Sequence, residues 1–462
     1  MRSRGASGVI TALVGAAALF LIVIAIGIEY TLIAAVVLFA TAVLLRFPIA
    51  GIYALVVLLP FNGLVSQVTE GSFIPTLYGA AKDFILLGIL LVALISGRVK
   101  QVPAPVVALV FITVVSAMAS AIFTPDFLQA SYGWRNDYEP LLLLIAVPAI
   151  ADVGSVRRIL ALVLVMGQIS AAVAVVTWTR GLEWLFDIGR LPVANPDDFP
   201  TSLFSSGSNW PRAFSPYVAP NEMAVVMASV LAVIWLFPRI RGSVRMLLSV
   251  LPVVAIILSG SRSALLGAVV LACVLAARSI YSRSSLLSVS FLVLAAIGVL
   301  AGAGLYITNQ LGDGGDPSLG GHSSSLDEGL RTLVQNPFGV GLGLVGPRAA
   351  NYEQSYHVES FWLLIGLEAG VIVLGLFVIL MLVLVRRSVT SKSSLGFLGA
   401  AVLAASLVSQ LVLPTFQEGA VSFLVWLLVG LSLTALRNEE AAELGTSALH
   451  EPVKELTGGS QP

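Results

Sequence analysis

A chain of 462 residues that is 58% hydrophobic and only 11% charged, with a mean hydropathy of +0.98, is excluded from the ordinary water-soluble globules. Lysine plus arginine and aspartate plus glutamate balance at 25 each, so the overall charge says little and its placement carries the information. One cysteine, Cys273, excludes a disulfide framework or a thiolate metal cluster, and its apolar surroundings predict a packing role.

The composition predicts an all-α polytopic membrane protein. In chain order the apolar runs are 9–28, 31–45, 48–61, 84–96, 105–123, 140–151, 159–179, 222–237, 246–260, 263–277, 286–306, 360–385, 395–413 and 420–436. Several fall short of the roughly 20 residues that an upright helix needs to cross a bilayer. The expectation is therefore 12 to 14 transmembrane helices, forming a single transmembrane domain over 1–436. The first run is long enough to span and is followed by another run with no small-residue cleavage site in a polar flank, so it reads as a retained anchor.

With the N-terminus and every second loop assigned to the cytoplasm, Lys and Arg divide seventeen to eight in favour of that side. Clusters such as Pro238 to Arg245 and Arg386 to Lys392 all fall there, whereas Lys82, Arg135, Arg180, Arg190, Arg212, Arg262, Arg331 and Arg348 fall on the other face. This predicts an N-in, C-in orientation. The two longest loops, 180–221 and 307–359, then face outward and are the candidate walls of a site.

Within the second loop, Ser325-Leu326-Asp327-Glu328 fits a capping box, and Leu326, Leu330, Leu333 and Val334 recur at helical spacing until Pro337. A short amphipathic helix lying on the membrane is expected. The preceding Gly312 to Gly321 reads as a solvated turn, and the polar, acidic tail 437–462 as a disordered cytoplasmic segment.

Three stretches carry the chemistry. In Asn336 to Gly370 the alternating Gly339, Gly341 and Gly343 permit positive φ and close backbone approach, so a shaped loop is expected. His357 follows, about one helical turn before an apolar run; the alternative to catalysis is an interfacial histidine that satisfies a loop carbonyl. Arg262 sits in Ser-Gly-Ser-Arg, the polar break between two runs of about 15 residues. Arms that rise only about 22 Å would leave the guanidinium dipping into the outer leaflet, where a phosphate is its natural partner. Snorkelling to the headgroups is the alternative. Arg212 precedes Pro220-Asn221, with Asn221 expected to cap a helix starting at Glu222, the end of a helix that favours anions. An ordinary loop arginine is the alternative there.

At these residues the chain resembles the O-antigen ligase and polymerase superfamily over roughly Trp210 to Leu384. The resemblance lies in Arg212 followed by Pro220-Asn221, in Ser261-Arg262-Ser263, in Asn336-Pro337-Phe338-Gly339-Val340-Gly341, and in His357 before a span that carries Glu368-Ala369-Gly370. Two departures stand out: Val358 replaces a frequent Asn after the histidine, and Gly320-Gly321-His322 replaces a frequent Gly-Gly-Arg, leaving His322 as a weaker substitute for a phosphate contact.

The resemblance implies a C-type, inverting glycosyltransferase of the bacterial cytoplasmic membrane, with its site on the extracytoplasmic face. The donor would be a glycan on undecaprenyl pyrophosphate and the acceptor a hydroxyl on a glycan, lipid or protein. His357 would act as general base, and Arg212 and Arg262 would hold the leaving pyrophosphate. Asn221, Ser261, His322, Gly339, Gly341 and Glu359 would be supporting residues. The three histidines are scattered and no Asp-x-Asp pair occurs, so neither a metal nor another cofactor is expected, and no nucleic acid is implied as a partner. A polymerase that joins carrier-linked repeats is the alternative reading of the same site. From another class, a flippase for the same lipid would be expected to show internal repeats and buried ionisable groups, whereas Glu368 reads as the one clear charge inside a span.

Overall fold

The computed structural model describes residues 38–69, 74–189, 203–204, 210–281, 317–351 and 355–449. These residues are helical apart from turns and two isolated bridges, Phe204 with Pro211 and Val345 with Tyr356. In chain order the α-helices are α1 (Pro48–Leu58), α2 (Asn62–Val68), α3 (Ile74–Ile95), α4 (Ala104–Ala119), α5 (Phe127–Asp137), α6 (Leu143–Ile150) and α7 (Val153–Asp187). They continue as α8 (Pro220–Leu236), α9 (Gly242–Leu258), α10 (Arg262–Tyr281), α11 (Pro317–Gln335), α12 (Phe361–Val389), α13 (Ser394–Ser409) and α14 (Gly419–Leu449).

Among the described residues seven helical stretches are long and apolar enough to cross a membrane, and four shorter apolar helices accompany them. These eleven coincide with eleven of the fourteen apolar runs. The runs 9–28 and 286–306, and residues 31–37 of the run 31–45, lie outside the described residues, and 38–46 are helical. Local chemistry sets many helix starts. Asp126, Asp152 and Ser393 accept bonds from Leu128, Ser155 and Gly396 backbone N–H groups as N-caps, and Pro48 and Pro220 open α1 and α8, where their missing N–H costs nothing.

The bundle is organised around α14, whose apolar window is 89% buried, against 22–44% in the other six long spans. Close packing of helix backbones uses small residues, as is general where lipid supplies no hydrophobic drive between helices. A Cβ on Gly267 of α10 would lie 2.5 Å from the Ala405 carbonyl of α13, and one on Gly399 of α13 would lie 2.6 Å from Ser388 Oγ and 2.8 Å from Ser432 Oγ. A set of edge-to-face rings, Phe361 with Phe416 at 5.2 Å and Phe377 with Trp426 at 6.2 Å, locks the first half of α12 to α14.

The basic clusters gather at one end. Arg437 donates to Gln101 Oε1 at 2.8 Å and to the Pro148 carbonyl at 2.7 Å, and Arg278 donates to the Ser391 and Ser393 carbonyls with its guanidinium 4.2 Å above the Phe397 ring. Arg262 and Phe361 begin the helices that Arg278 and Arg386 end, so the candidate residues occupy the opposite end.

Several expectations are corrected. Lys82, counted with an outward loop, lies inside α3, 5% exposed, and donates to Asn62 Oδ1 at 2.8 Å. Its neighbour Asp83 is ion-paired to Arg135, and Glu222 is fully buried in the first turn of α8, so Glu368 is not alone among charges inside apolar helices. Helix α11 starts at Pro317 rather than at the Ser325 capping box, which takes in Gly320 and Gly321 and removes the solvated turn from 317 onward; residues 312–316 lie outside the described set. Ser325 is buried and its hydroxyl faces the His357 carbonyl at 3.5 Å, because α11 packs on the start of α12 instead of only resting on lipid. Helix α10 runs 20 residues, about 30 Å, so that arm of the hairpin reaches full bilayer thickness. Cys273 is exposed on α10 and does not pack in the core. Where the tail was expected to begin, α14 continues as helix to Leu449.

Candidate active site at the end of the bundle opposite the basic clusters

Helix α7 passes Arg180, breaks at Gly181 (φ 85°) and turns on to Asp187, and this extension carries a small separate core of Leu182, Leu185, Leu203 and Phe214. That core supports the segment holding Arg212. The Arg212 N–H donates to the Leu203 carbonyl at 2.8 Å and the Ala213 N–H to the Leu258 carbonyl at 2.9 Å, so the segment is laid directly onto the end of α9. The Arg212 guanidinium is fixed at two points, donating from Nε to the Ser259 carbonyl at 2.6 Å and from Nη2 to Asn221 Oδ1 at 2.8 Å.

Asn221 therefore does not cap α8. The helix starts two residues before the expected Glu222, at Pro220, with Ala219 as N-cap, and Glu222 Oε2 accepts the Val218 N–H at 2.9 Å. This leaves the Asn221 amide to orient the arginine.

Gly260 takes φ 60° in the turn between α9 and α10. Ser261 is buried; its hydroxyl lies 3.3 Å from Ser263 Oγ and accepts the Ala264 N–H at 3.4 Å, so it shapes the turn and the first turn of α10. Arg262 follows as the half-buried first residue of α10. The next link runs through α13. Ser409 Oγ donates to the Ser263 carbonyl at 3.0 Å, and the Gln410 carbonyl accepts the Phe361 N–H at 3.0 Å and Ser360 Oγ at 3.4 Å. His357 is three residues before Ser360, with its side chain 66% exposed and Nε2 3.6 Å from Glu359 Oε1. Arg212, Arg262 and His357 are thus tied to one end of the bundle by a short succession of contacts through Ser259, Ser263, Ser409 and Gln410. The N-termini of α8, α10 and α12 open at the same end and favour anions there. His322 falls in α11, and its side chain lies outside the described residues.

The glycine loop is shaped as expected but placed differently. Gly339, Gly341 and Gly343 take φ values of 93°, 125° and 73°. Instead of standing wholly open as a wall, the loop packs against a break in α12 at Gly370 (φ 87°), with residues 341–346 buried and Phe338 exposed. The Val340 and Gly341 N–H groups donate to the Leu367 and Glu368 carbonyls, and the Val371 N–H to the Pro337 carbonyl at 2.9 Å. A Cβ on Gly339 would lie 2.6 Å from the Glu368 carbonyl oxygen. Irregular backbone at this depth persists because it is enclosed by protein that satisfies its polar groups.

Four side chains from distant segments supply that satisfaction. Glu368 Oε1 accepts the Gly343 N–H at 2.8 Å, Gln129 Nε2 donates to the Gly343 carbonyl at 2.9 Å, Thr124 Oγ1 to the Leu342 carbonyl at 2.9 Å, and Gln417 Nε2 to the Val345 carbonyl at 3.3 Å. The buried Asp137 carboxyl, which accepts Gln417 Nε2 at 3.3 Å, interacts electrostatically with Glu368. Burial pushes the Asp137 carboxyl up, opposed by its bond to Gln417 and by the Arg348 charge. Arg348 closes the far side of the loop by pairing with Glu418 and donating to Tyr132 Oη at 2.8 Å. Burial alone would lower its pKa, and Glu418 and Tyr132 more than offset that.

Sequence reasoning missed Gln129, Asp137, Arg348 and Gln417. The available signal was a run of polar residues between 124 and 139 that is too short and polar to span, beside a glycine loop that needed partners for its backbone.

Residues 247–378 match the family model described as O-Antigen ligase, a stretch that includes Arg262, the glycine loop, His357 and the Gly370 break and begins after Arg212 and Asn221. No curated protein matches the chain. Over this stretch the chain is similar to the O-antigen ligase family, and the match supports a membrane glycosyltransferase activity of the O-antigen ligase or polymerase type.

Proposed function

We propose that the protein transfers a glycan from undecaprenyl pyrophosphate to an acceptor hydroxyl at the extracytoplasmic face of the bacterial cytoplasmic membrane, with inversion at the anomeric carbon. The observation that carries this reading is the set of contacts that ties Arg212, Arg262 and His357 to the bundle end opposite the basic clusters. By the positive-inside rule the basic end is cytoplasmic, so the candidate residues face the side where carrier-linked glycans are consumed.

In the reaction the acceptor oxygen bonds to the anomeric carbon as the bond from that carbon to the pyrophosphate oxygen breaks. His357 takes the hydroxyl proton, a role worth on the order of 10²–10⁴ in rate. Glu359, 3.6 Å away, stabilises the imidazolium that forms. Arg212 and Arg262 bind the departing pyrophosphate. Arg212 arrives already oriented by Ser259 and Asn221, so little ordering cost remains when charge develops. A ligase and a polymerase share these steps and differ in the acceptor.

The test is to incubate purified protein in lipid with an undecaprenyl pyrophosphate glycan and candidate acceptors, and to follow released carrier pyrophosphate and product mass. His357→Ala should abolish transfer while leaving the melting temperature nearly unchanged, because the side chain is 66% exposed. Full turnover in that variant removes the base, and translocation of the donor without bond exchange by the wild type would point to a flippase.

A further inference from the structure

The described aromatic residues beside Arg212 were not absorbed by the transfer chemistry. Trp210 is 56% exposed and its ring packs at 5.4 Å, tilted by 44°, on Trp178 of α7. Trp178 is itself pinned, its indole N–H donating to the Pro211 carbonyl at 2.9 Å. Pro211 forms an antiparallel bridge with Phe204, and the Arg212 N–H bonds the Leu203 carbonyl, so the chain is extended here. In an extended segment, residues two apart point to the same side, with Cα atoms about 6.6 Å apart. Trp210 and Arg212 therefore share a face. Trp178 lies 19 residues past Ile159, where the apolar run of α7 begins, about 29 Å along a helix crossing a hydrocarbon core of about 30 Å, which puts the ring pair at the boundary between acyl chains and headgroups.

The geometry points to Trp210, braced by Trp178, as a stacking platform for the first sugar of the carrier-linked donor, a specificity-determining contact for the glycan in place of the lipid. This rests on the reading that Arg212 binds the donor pyrophosphate. The sugar is bonded directly to that group, so it must lie within one residue's reach of the guanidinium, which is where the exposed indole stands. A pyranose presents an apolar face of C–H groups, and a large flat ring held by a second ring meets it with little loss of side-chain freedom. The bracing matters because an unsupported exposed tryptophan would have to be ordered at the moment of binding.

The test measures binding of two probes to the full chain in lipid nanodiscs: undecaprenyl pyrophosphate carrying one hexopyranose, and the same carrier pyrophosphate without sugar. Wild type should bind the sugar-bearing probe more tightly. Trp210→Ala should weaken that probe roughly three- to tenfold and leave the bare carrier unchanged, and Trp210→Tyr should recover most of the loss. Trp210→Leu keeps apolar bulk without an aromatic face and should behave like the alanine variant. Equal weakening of both probes by Trp210→Ala would make the residue a membrane-interface anchor and overturn the platform. So would wild-type binding of the sugar-bearing probe by the leucine variant. Equal wild-type affinity for the two probes overturns the platform alone, whereas wild type that binds neither overturns the donor reading beneath it.

Discussion

Asn221→Ala isolates the device that orients Arg212. The amide oxygen receives Arg212 Nη2 at 2.8 Å, and a hydrogen bond to a charged group contributes about 1.5–3 kcal/mol. Here the arginine is half-buried and keeps another tether, Nε to the Ser259 carbonyl at 2.6 Å, so the lower part of that range applies, about 1.5–2 kcal/mol. Spent on donor and transition-state binding, this is a roughly ten- to thirtyfold loss in kcat/KM. The fold should tolerate the change, because α8 is capped without Asn221, through Ala219 and the bond from Val218 N–H to Glu222. Asn221→Asp keeps an acceptor for Arg212 but sets a carboxylate beside the proposed pyrophosphate site, and it should lose more activity than the alanine variant. The assay is steady-state transfer in lipid, with thermal melting in parallel. Wild-type kcat/KM in Asn221→Ala would refute the tether, and a loss of activity that tracks a lower melting temperature would return Asn221 to a capping role.

Three further predictions concern the buried loop. Gly339→Ala forces φ 93° on a side chain whose Cβ would lie 2.6 Å from the Glu368 carbonyl, at a cost of about 1–3 kcal/mol. Melting temperatures should therefore fall well below those of Gly375→Ala, where a Cβ meets nothing within 4 Å; equal melting would refute the fit. Glu368→Ala orphans the buried Gly343 N–H, at about 1–3 kcal/mol, whereas Glu368→Gln keeps an acceptor for Gly343 and should lose less; the same loss in both would refute the role of that bond. Burial raises Asp137 from 3.8 to about 7, so its protonated form is favoured by folding. Its stabilising contribution is complete below pH 3.8 and is lost as pH rises through about 7. Wild type should melt lower at pH 8 than at pH 5, and Asp137→Asn should flatten that slope; an unchanged slope in the variant assigns it elsewhere.

Much of the architecture is a local property of the chain and was legible. Apolar runs of near-spanning length appear as helices because their backbone bonds close within the segment, and nothing distant is needed to start them. The positive φ of Gly339, Gly341 and Gly343 was legible for the same reason. Lys82 was misplaced because a charge at the edge of an apolar run looks like a loop residue, whereas Asn62 on another helix makes its burial tolerable. The capping box at Ser325 was a good local signal that lost to tertiary packing: the helix begins at Pro317, and Ser325 is buried with its hydroxyl toward the His357 carbonyl.

By itself the sequence determined the membrane as solvent, the position of eleven apolar helices, the end of the bundle that gathers the basic residues, and three side chains of types suited to phosphate and proton chemistry. All of these follow from residue type and short-range spacing. Only the tertiary structure decided that Asn221 serves Arg212, that the glycine loop bonds Glu368, and that Thr124, Gln129 and Gln417 hold it there. Those pairings join residues far apart in the chain, and periodicity carries no record of them. They arise because each buried polar group must find a partner, and which partner is nearest depends on how the helices pack.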